Sequence, residues 1–249
     1  MIEKEFEIEG AGSVDVRFAS GRLTLREGAA GKIFVRVDGK TDSLNVDKRG
    51  STVTITNDRS GFLGGGRYQI TLDVPPGCDV SAGVASADIQ SKAHLGRLEV
   101  NSASGDVRVS SVDELSAKTA SGDVQGDLVG RCSFVSASGD IRINKVEGKF
   151  EASTASGDVY VDEAGDDMTS STLSGDLGVK RFTGENLRVK AVSGSVRVGI
   201  PAGTAVNLDA TTRSGDIRLP EPTADNIAPI GHANVTARLV SGDLTIKRV

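Results

Sequence analysis

Carboxylates recur along this 249-residue chain at a nearly constant interval: Asp88, Asp106, Asp123, Asp140, Asp158, Asp176, Asp216 and Asp243. Three chemistries could use such a column. Stacked carboxylates could hold cations, two of them at catalytic separation could cleave a glycosidic bond, and one beside a serine and a histidine could complete a hydrolase triad. The neighbouring residues speak against each. The spacing lacks the ligand pattern of a GGxGxDxUx calcium repeat or an EF-hand loop. Only His94 and His232 could serve as a triad base, and neither lies in a G-x-S-x-G frame. The aspartates repeat evenly instead of pairing, and an aromatic content of 4% gives little platform for sugar stacking. Turn chemistry is the preferred reading of the column. A cation ladder is the sharper alternative, because aspartates stacked at about 4.8 Å would repel by roughly 0.9 kcal/mol per pair even in water. Arg108, Arg142, Arg197 and Arg218, two residues past the Asp position, could relieve that repulsion.

Other chemistry-bearing residues are sparse. Gly10-Ala11-Gly12-Ser13 and Gly61-Phe62-Leu63-Gly64-Gly65-Gly66 lack the Lys-Ser/Thr of a phosphate loop and lie between strands, so they read as turns. Cys78 and Cys132 have no CxxC or nearby His partner, which points away from a disulfide framework or a zinc site. No cofactor or metal is implied. A net charge of -5 opposes nucleic-acid binding, which needs a basic stripe. No apolar run reaches membrane-spanning length, and the charged start Met1-Ile2-Glu3-Lys4-Glu5-Phe6 is no signal peptide, so a cytoplasmic chain is expected.

The elements that position the aspartates are strands. Ser-Gly-Asp recurs as Ser104-Gly105-Asp106, Ser121-Gly122-Asp123, Ser138-Gly139-Asp140, Ser156-Gly157-Asp158, Ser174-Gly175-Asp176, Ser214-Gly215-Asp216 and Ser241-Gly242-Asp243, with the variant Ser193-Gly194-Ser195 between. The intervals are 17 to 19 residues as far as Ser193, then 21 and 27. Six residues before each Ser stands an apolar residue, from Leu98 and Leu115 through Cys132 and Phe150 to Leu208 and Val235. Directly after the Asp position come Val107, Val124, Ile141, Val159, Leu177, Val196, Ile217 and Leu244. These are period-two strands on either side of a corner. Counting parity places Ser inward and makes Gly-Asp the corner, with glycine chosen for positive φ and aspartate for local backbone hydrogen bonds.

Two architectures fit. Each copy could be one coil of a parallel β-solenoid (β-helix or β-roll) of about 17–19 residues, or an antiparallel hairpin in a meander. Small Ser and Thr columns beside the corner favour the solenoid, whose cross-section would narrow there. The expected fold is therefore all-β: residues 1–75 a divergent β-rich N-terminal region or cap, continuous with a solenoid over residues 76–249. The copy ending at Val249 has none after it, so its strand is expected at an open edge, available for homo-oligomerisation.

The serial "SASGD-V-x-V" and "TASGD-V-x-V" copies, with Asp73-Val74-Pro75-Pro76-Gly77 leading into them, resemble the bacterial β-strand-repeat proteins of unknown function labelled putative adhesins. The resemblance covers most of the chain, most strongly from about residue 72 to residue 249. It implies a link to the cell envelope. The function expected from the residues and the resemblance together is noncatalytic: a structural or interaction protein, adhesin-like, that binds a protein or surface polymer and could be envelope-associated or self-assembling. The alternative is a polysaccharide-acting hydrolase or lyase on a β-helix, which would show itself by a deep acidic cleft.

Overall fold

The computed structural model describes residues 1–39, 44–57, 67–220 and 231–249, and every regular element among them is a strand. The glycine-rich segment 61–66 lies outside the described residues. Contacts divide the chain into two compact units, Met1–Asp127 and Leu128–Val249.

In the first unit, β1 (Ile2–Glu7), β2 (Ser13–Glu27), β3 (Lys32–Asp38), β4 (Leu44–Arg49), β5 (Thr52–Asn57) and β6 (Arg67–Val74) precede two long bent strands, β7 (Cys78–Ser102) and β8 (Val107–Thr119). Alternation decides the faces. In β2, Val14, Val16, Phe18, Leu23 and Leu25 are buried while their neighbours reach solvent. β2 runs parallel to β7 with Val14 opposite Val80 and Leu23 opposite Ile89, and β7 runs parallel to β8 with Ile89 opposite Val107 and Leu98 opposite Leu115. Apolar residues of one column thus stack on one another, each worth about 1.5–3 kcal/mol when fully buried. The outlying copy joins the same scheme, since Ser20 faces Ser86 and Arg22 faces Asp88. Around it the pairing is mixed. β1 with β3, β3 with β6 and β4 with β5 are antiparallel, whereas β5 and β6 both run parallel to β2.

The second unit takes the C-terminal part of β9 (Val124–Ser136), then β10 (Ile141–Val146), β11 (Phe150–Thr154), β12 (Val159–Ala164), β13 (Met168–Ser174), β14 (Leu177–Phe182), β15 (Asn186–Ser193), β16 (Val196–Ile200), β17 (Thr204–Ser214), β18 (Ile217–Arg218), β19 (Gly231–Ser241) and β20 (Leu244–Arg248). One ladder holds Cys132 on Phe150, Phe150 on Met168 and Met168 on Leu187. The other holds Ile141 on Val159, Val159 on Leu177 and Leu177 on Val196. All of these pairings are parallel, so the repeats are solenoid-like and the antiparallel meander is set aside.

Two expectations change. The last copy in sequence is not the last in space. β19 lies between β15 and β17, with Val235 opposite both Leu187 and Leu208, and β20 lies between β16 and β18, with Leu244 opposite both Val196 and Ile217. The C-terminal strand expected at an open edge is therefore interior, and among the described residues the rung that ends the ladders is β17 with β18. The exposure of the two rungs agrees: Leu244 and Ile246 are buried, while Ile217 and Leu219 are 40% and 55% exposed.

The parity at the corner also differs. Ser104, Ser121, Ser138, Ser156, Ser174, Ser193, Ser214 and Ser241 are all exposed, whereas Gly105, Gly122, Gly139 and Gly157 are buried. The bend falls on the residue pair ending in Ser, such as Ala103-Ser104, and glycine occupies the inward position.

Candidate functional site

The corner comes first because its residues drew the chemical readings. In four copies the hydroxyl two residues before the Ser accepts a hydrogen bond from the glycine N–H: Gly105 to Ser102 at 2.9 Å, Gly122 to Thr119 at 2.8 Å, Gly139 to Ser136 at 2.7 Å and Gly157 to Thr154 at 2.8 Å. A buried donor at the bend is thus satisfied locally. The glycine is required by stacking more than by its own torsion. Positive φ occurs at Gly21, Gly194, Gly215 and Gly242, but not at Gly105, Gly122, Gly157 or Gly175. At Gly157 a Cβ would lie 2.0 Å from the carbonyl oxygen of Gly139, and at Gly175 it would lie 2.3 Å from that of Gly157. Backbone of the adjacent copy fills the space a side chain would need.

The aspartates form a chain of hydrogen bonds along the stack. The N–H of Asp123 donates to Asp106 Oδ1 at 3.2 Å, that of Asp158 to Asp140 Oδ1 at 2.9 Å, that of Asp176 to Asp158 Oδ1 at 2.8 Å, and that of Asp216 to Asp243 Oδ1 at 2.9 Å. Ser195 stands at an Asp position, yet its N–H still donates to Asp176 Oδ1 at 2.8 Å. The second carboxylate oxygen meets a side chain. Arg108 reaches Asp106 at 3.5 Å, Arg142 reaches Asp140 at 3.0 Å and Arg218 reaches Asp216 at 2.8 Å. Tyr160 donates its hydroxyl to Asp158 at 3.4 Å. Arg197, whose own copy carries Ser195, turns instead to Asp176 at 3.3 Å. Among the described residues no group of three or more His, Cys, Asp or Glu is gathered to hold a metal.

The other sequence candidates lie apart from this corner. His94 Nδ1 is 2.9 Å from Ser111 Oγ, and its Nε2 is 3.6 Å from Asp113 Oδ1. The composition is that of a triad, brought together by the pairing of His94 with Ser111 across β7 and β8. The carboxylate is 69% exposed, however, so water screens the contact that would have to fix the ring. His232 is exposed at the start of β19. Both cysteines are buried and free, and burial pushes the Cys132 thiol up to about 12. Burial, with the charge of Asp79 added, does the same to Cys78.

Sequence reasoning missed a groove of about 880 Å³ on the outward face of β10, β12, β14, β16 and β20. The register makes it. Arg142, Tyr160, Gly178, Arg197 and Thr245 stand opposite one another on successive strands, and Gly199 stands opposite Lys247. Gly178 has no side chain to fill the face, and at Gly199 the Lys180 carbonyl oxygen takes the place of one, 1.9 Å from where a Cβ would lie. The Tyr160 ring lies against Gly178, where a Cβ would be 2.6 Å from a ring carbon, and the Val249 side chain approaches Gly199. The Arg142 guanidinium sits 5.5 Å from the centre of the Tyr160 ring. Partial burial raises the Tyr160 pKa, with Asp158 and Asp176 adding to the shift, so the hydroxyl stays a donor at neutral pH. Arg142, Lys180, Arg197 and Lys247 line the groove along with a single side-chain carboxylate, Asp162, which Lys180 meets at 2.7 Å. The glycosidase alternative called for an acidic cleft; this lining is basic. The only sequence signal was the loss of side chains at two outward strand positions flanked by Tyr160 and Lys247, and it shows only once the register is known.

No helix among the described residues is long and apolar enough to cross a membrane. No curated protein matches the chain. The solved structure of a putative adhesin from Parabacteroides distasonis is 14% identical over 99% of this chain and 96% of that one, with a TM-score of 0.52. Another, of a putative adhesin from Parabacteroides merdae, is 15% identical over 97% of this chain and 95% of that one, with a TM-score of 0.50. At such identities the likeness is one of fold. The Toastrack DUF4097 family model matches residues 12–247, nearly the whole of both units. The chain belongs to the Toastrack DUF4097 family.

Proposed function

We propose that this chain is a noncatalytic interaction protein: a β-solenoid of about 17–19-residue coils, headed by a divergent region over residues 1–75, that presents an outward face to a protein or surface polymer. The Ser-Gly-Asp residues are the turn ladder of that scaffold. The groove of β10, β12, β14, β16 and β20 carries the reading, because its cations and Tyr160 face outward, while each corner aspartate already has one oxygen on backbone and the other on a side chain. The name putative adhesin, borne by the two solved structures, is in line with this role.

The test incubates the immobilised full chain with a panel of neutral and acidic polysaccharides, reading both retention and new reducing ends or unsaturated uronates. Retention of a polymer without product formation, weakened by Tyr160→Ala, is the expected result. Product formation would establish the enzymatic alternative, and a panel that is neither retained nor cleaved would overturn the polymer-binding reading.

A further inference from the structure

We infer that the groove binds an acidic polysaccharide, seating a sugar ring on Tyr160 and pairing its carboxylates with Arg142, Lys180, Arg197 and Lys247. This rests on the interaction reading above and gives it a ligand class. The charge distribution is the first support. A chain of net charge -5 gathers four side-chain cations against one side-chain carboxylate on this lining. Three of the cations are already paired, Arg142 with Asp140, Lys180 with Asp162 and Arg197 with Asp176, but every one of these pairs is solvent-exposed. Exposed pairs contribute at most about 1 kcal/mol, so an incoming carboxylate can take over a cation at little cost. Lys247 has no carboxylate partner among the described residues.

Spacing is the second support. The five strands stand about 4.8 Å apart, so the cations are spread over roughly 19 Å across the sheet. A polymer with a charge on each residue can meet several of them at once, and one small anion cannot. Shape separates the candidate polyanions. The groove lies on the face of a sheet whose strands are already paired on both sides, so an acidic peptide finds no free backbone edge to extend. A single tyrosine, flanked across the sheet by Arg142 and Gly178, offers one flat apolar seat, whereas single-stranded nucleic acid uses successive aromatic platforms. A pyranose ring lays its C–H face on such a seat and turns its hydroxyls and carboxylate toward the rim, where the arginines and lysines stand.

The experiment titrates a fluorescent galacturonate oligomer into the full chain, with a neutral glucose oligomer, poly-glutamate and an oligothymidylate as comparison probes. Saturable binding of the galacturonate oligomer is expected, weakening as salt rises. Tyr160→Ala and Lys247→Glu should each lower the affinity roughly ten-fold. Lys190→Glu, the same charge change on β15 outside the groove, should leave it within about two-fold. Melting temperatures confirm that each variant is folded, and Lys247→Glu stands as the test if Tyr160→Ala is not. Absence of galacturonate binding, equal binding of poly-glutamate or oligothymidylate, or an equal loss in Lys190→Glu would overturn the inference. Saturable binding of the neutral oligomer alone would overturn the acidic ligand class while leaving the interaction role intact.

Discussion

Within three residues β12 passes from one kind of polar site to another. Just before its first residue, the Asp158 carboxylate accepts the Asp176 N–H and the Tyr160 hydroxyl, and the Asp158 N–H is held by Asp140. Two residues on, Tyr160 leaves the corner and lies over Gly178 at the edge of the groove. At the corner one oxygen of each carboxylate is held by the backbone of a neighbouring copy, and the other is met by a side chain such as Arg142, Tyr160 or Arg197 at the rim of the groove. The groove has cations whose partners are exposed and exchangeable. A repeated polar motif is therefore a poor guide to where this molecule meets another, and an interrupted column of outward side chains is a better one.

Substitutions at the corner should cost stability, and those in the groove should cost binding. The largest effect is expected from Gly157→Val. Its Cβ would meet the Gly139 carbonyl oxygen at 2.0 Å, and the stacked backbones would have to part, at a cost of about 3 kcal/mol in urea unfolding. A loss below about 0.5 kcal/mol would show that the stack is slack. Asp158→Ala should follow, at about 1–3 kcal/mol, because the half-buried Asp176 N–H loses its acceptor. Thr154→Val keeps shape and removes one hydroxyl, orphaning the buried Gly157 N–H, and about 1–2 kcal/mol is expected by the same measurement. Lys247→Glu in the groove should change stability by no more than about 0.5 kcal/mol while weakening binding. Were it to unfold the protein instead, the separation of the two sites would fail.

The buried thiol acts only at alkaline pH. With the folded Cys132 held near 12, its contribution is fully present below its ordinary value and is lost as pH rises toward about 12. Wild type should therefore lose more stability than Cys132→Ala over that range, and parallel curves would contradict the buried, protonated thiol.

The strand columns were readable because side chains carry the pattern. Leu98, Leu115, Cys132, Phe150, Met168 and Leu187 are all buried, as their recurrence six residues before Ser required. The inward place of glycine was not readable by counting apolar residues, since the residue that turns inward at the corner has no side chain to count. Ser, one position earlier, took its place in the parity and proved exposed. Rung order was hidden for a different reason. Copies with equivalent columns can stack in more than one order, and nothing local distinguishes Leu208 from Val235 as the neighbour of Leu187. The groove was hidden because Tyr160, Gly178 and Gly199 are distant in sequence and become neighbours only through the parallel register.

The central claim is that the aspartate column is architecture, its oxygens already engaged. The most direct test records the melting temperature of chelator-treated protein as calcium is added to millimolar concentration. The account predicts no change, because Asp106, Asp140, Asp158 and Asp176 each give one oxygen to a backbone N–H and the other to an arginine or tyrosine. A saturable rise in melting temperature that disappears in Asp158→Asn would contradict it and make the column a cation ladder.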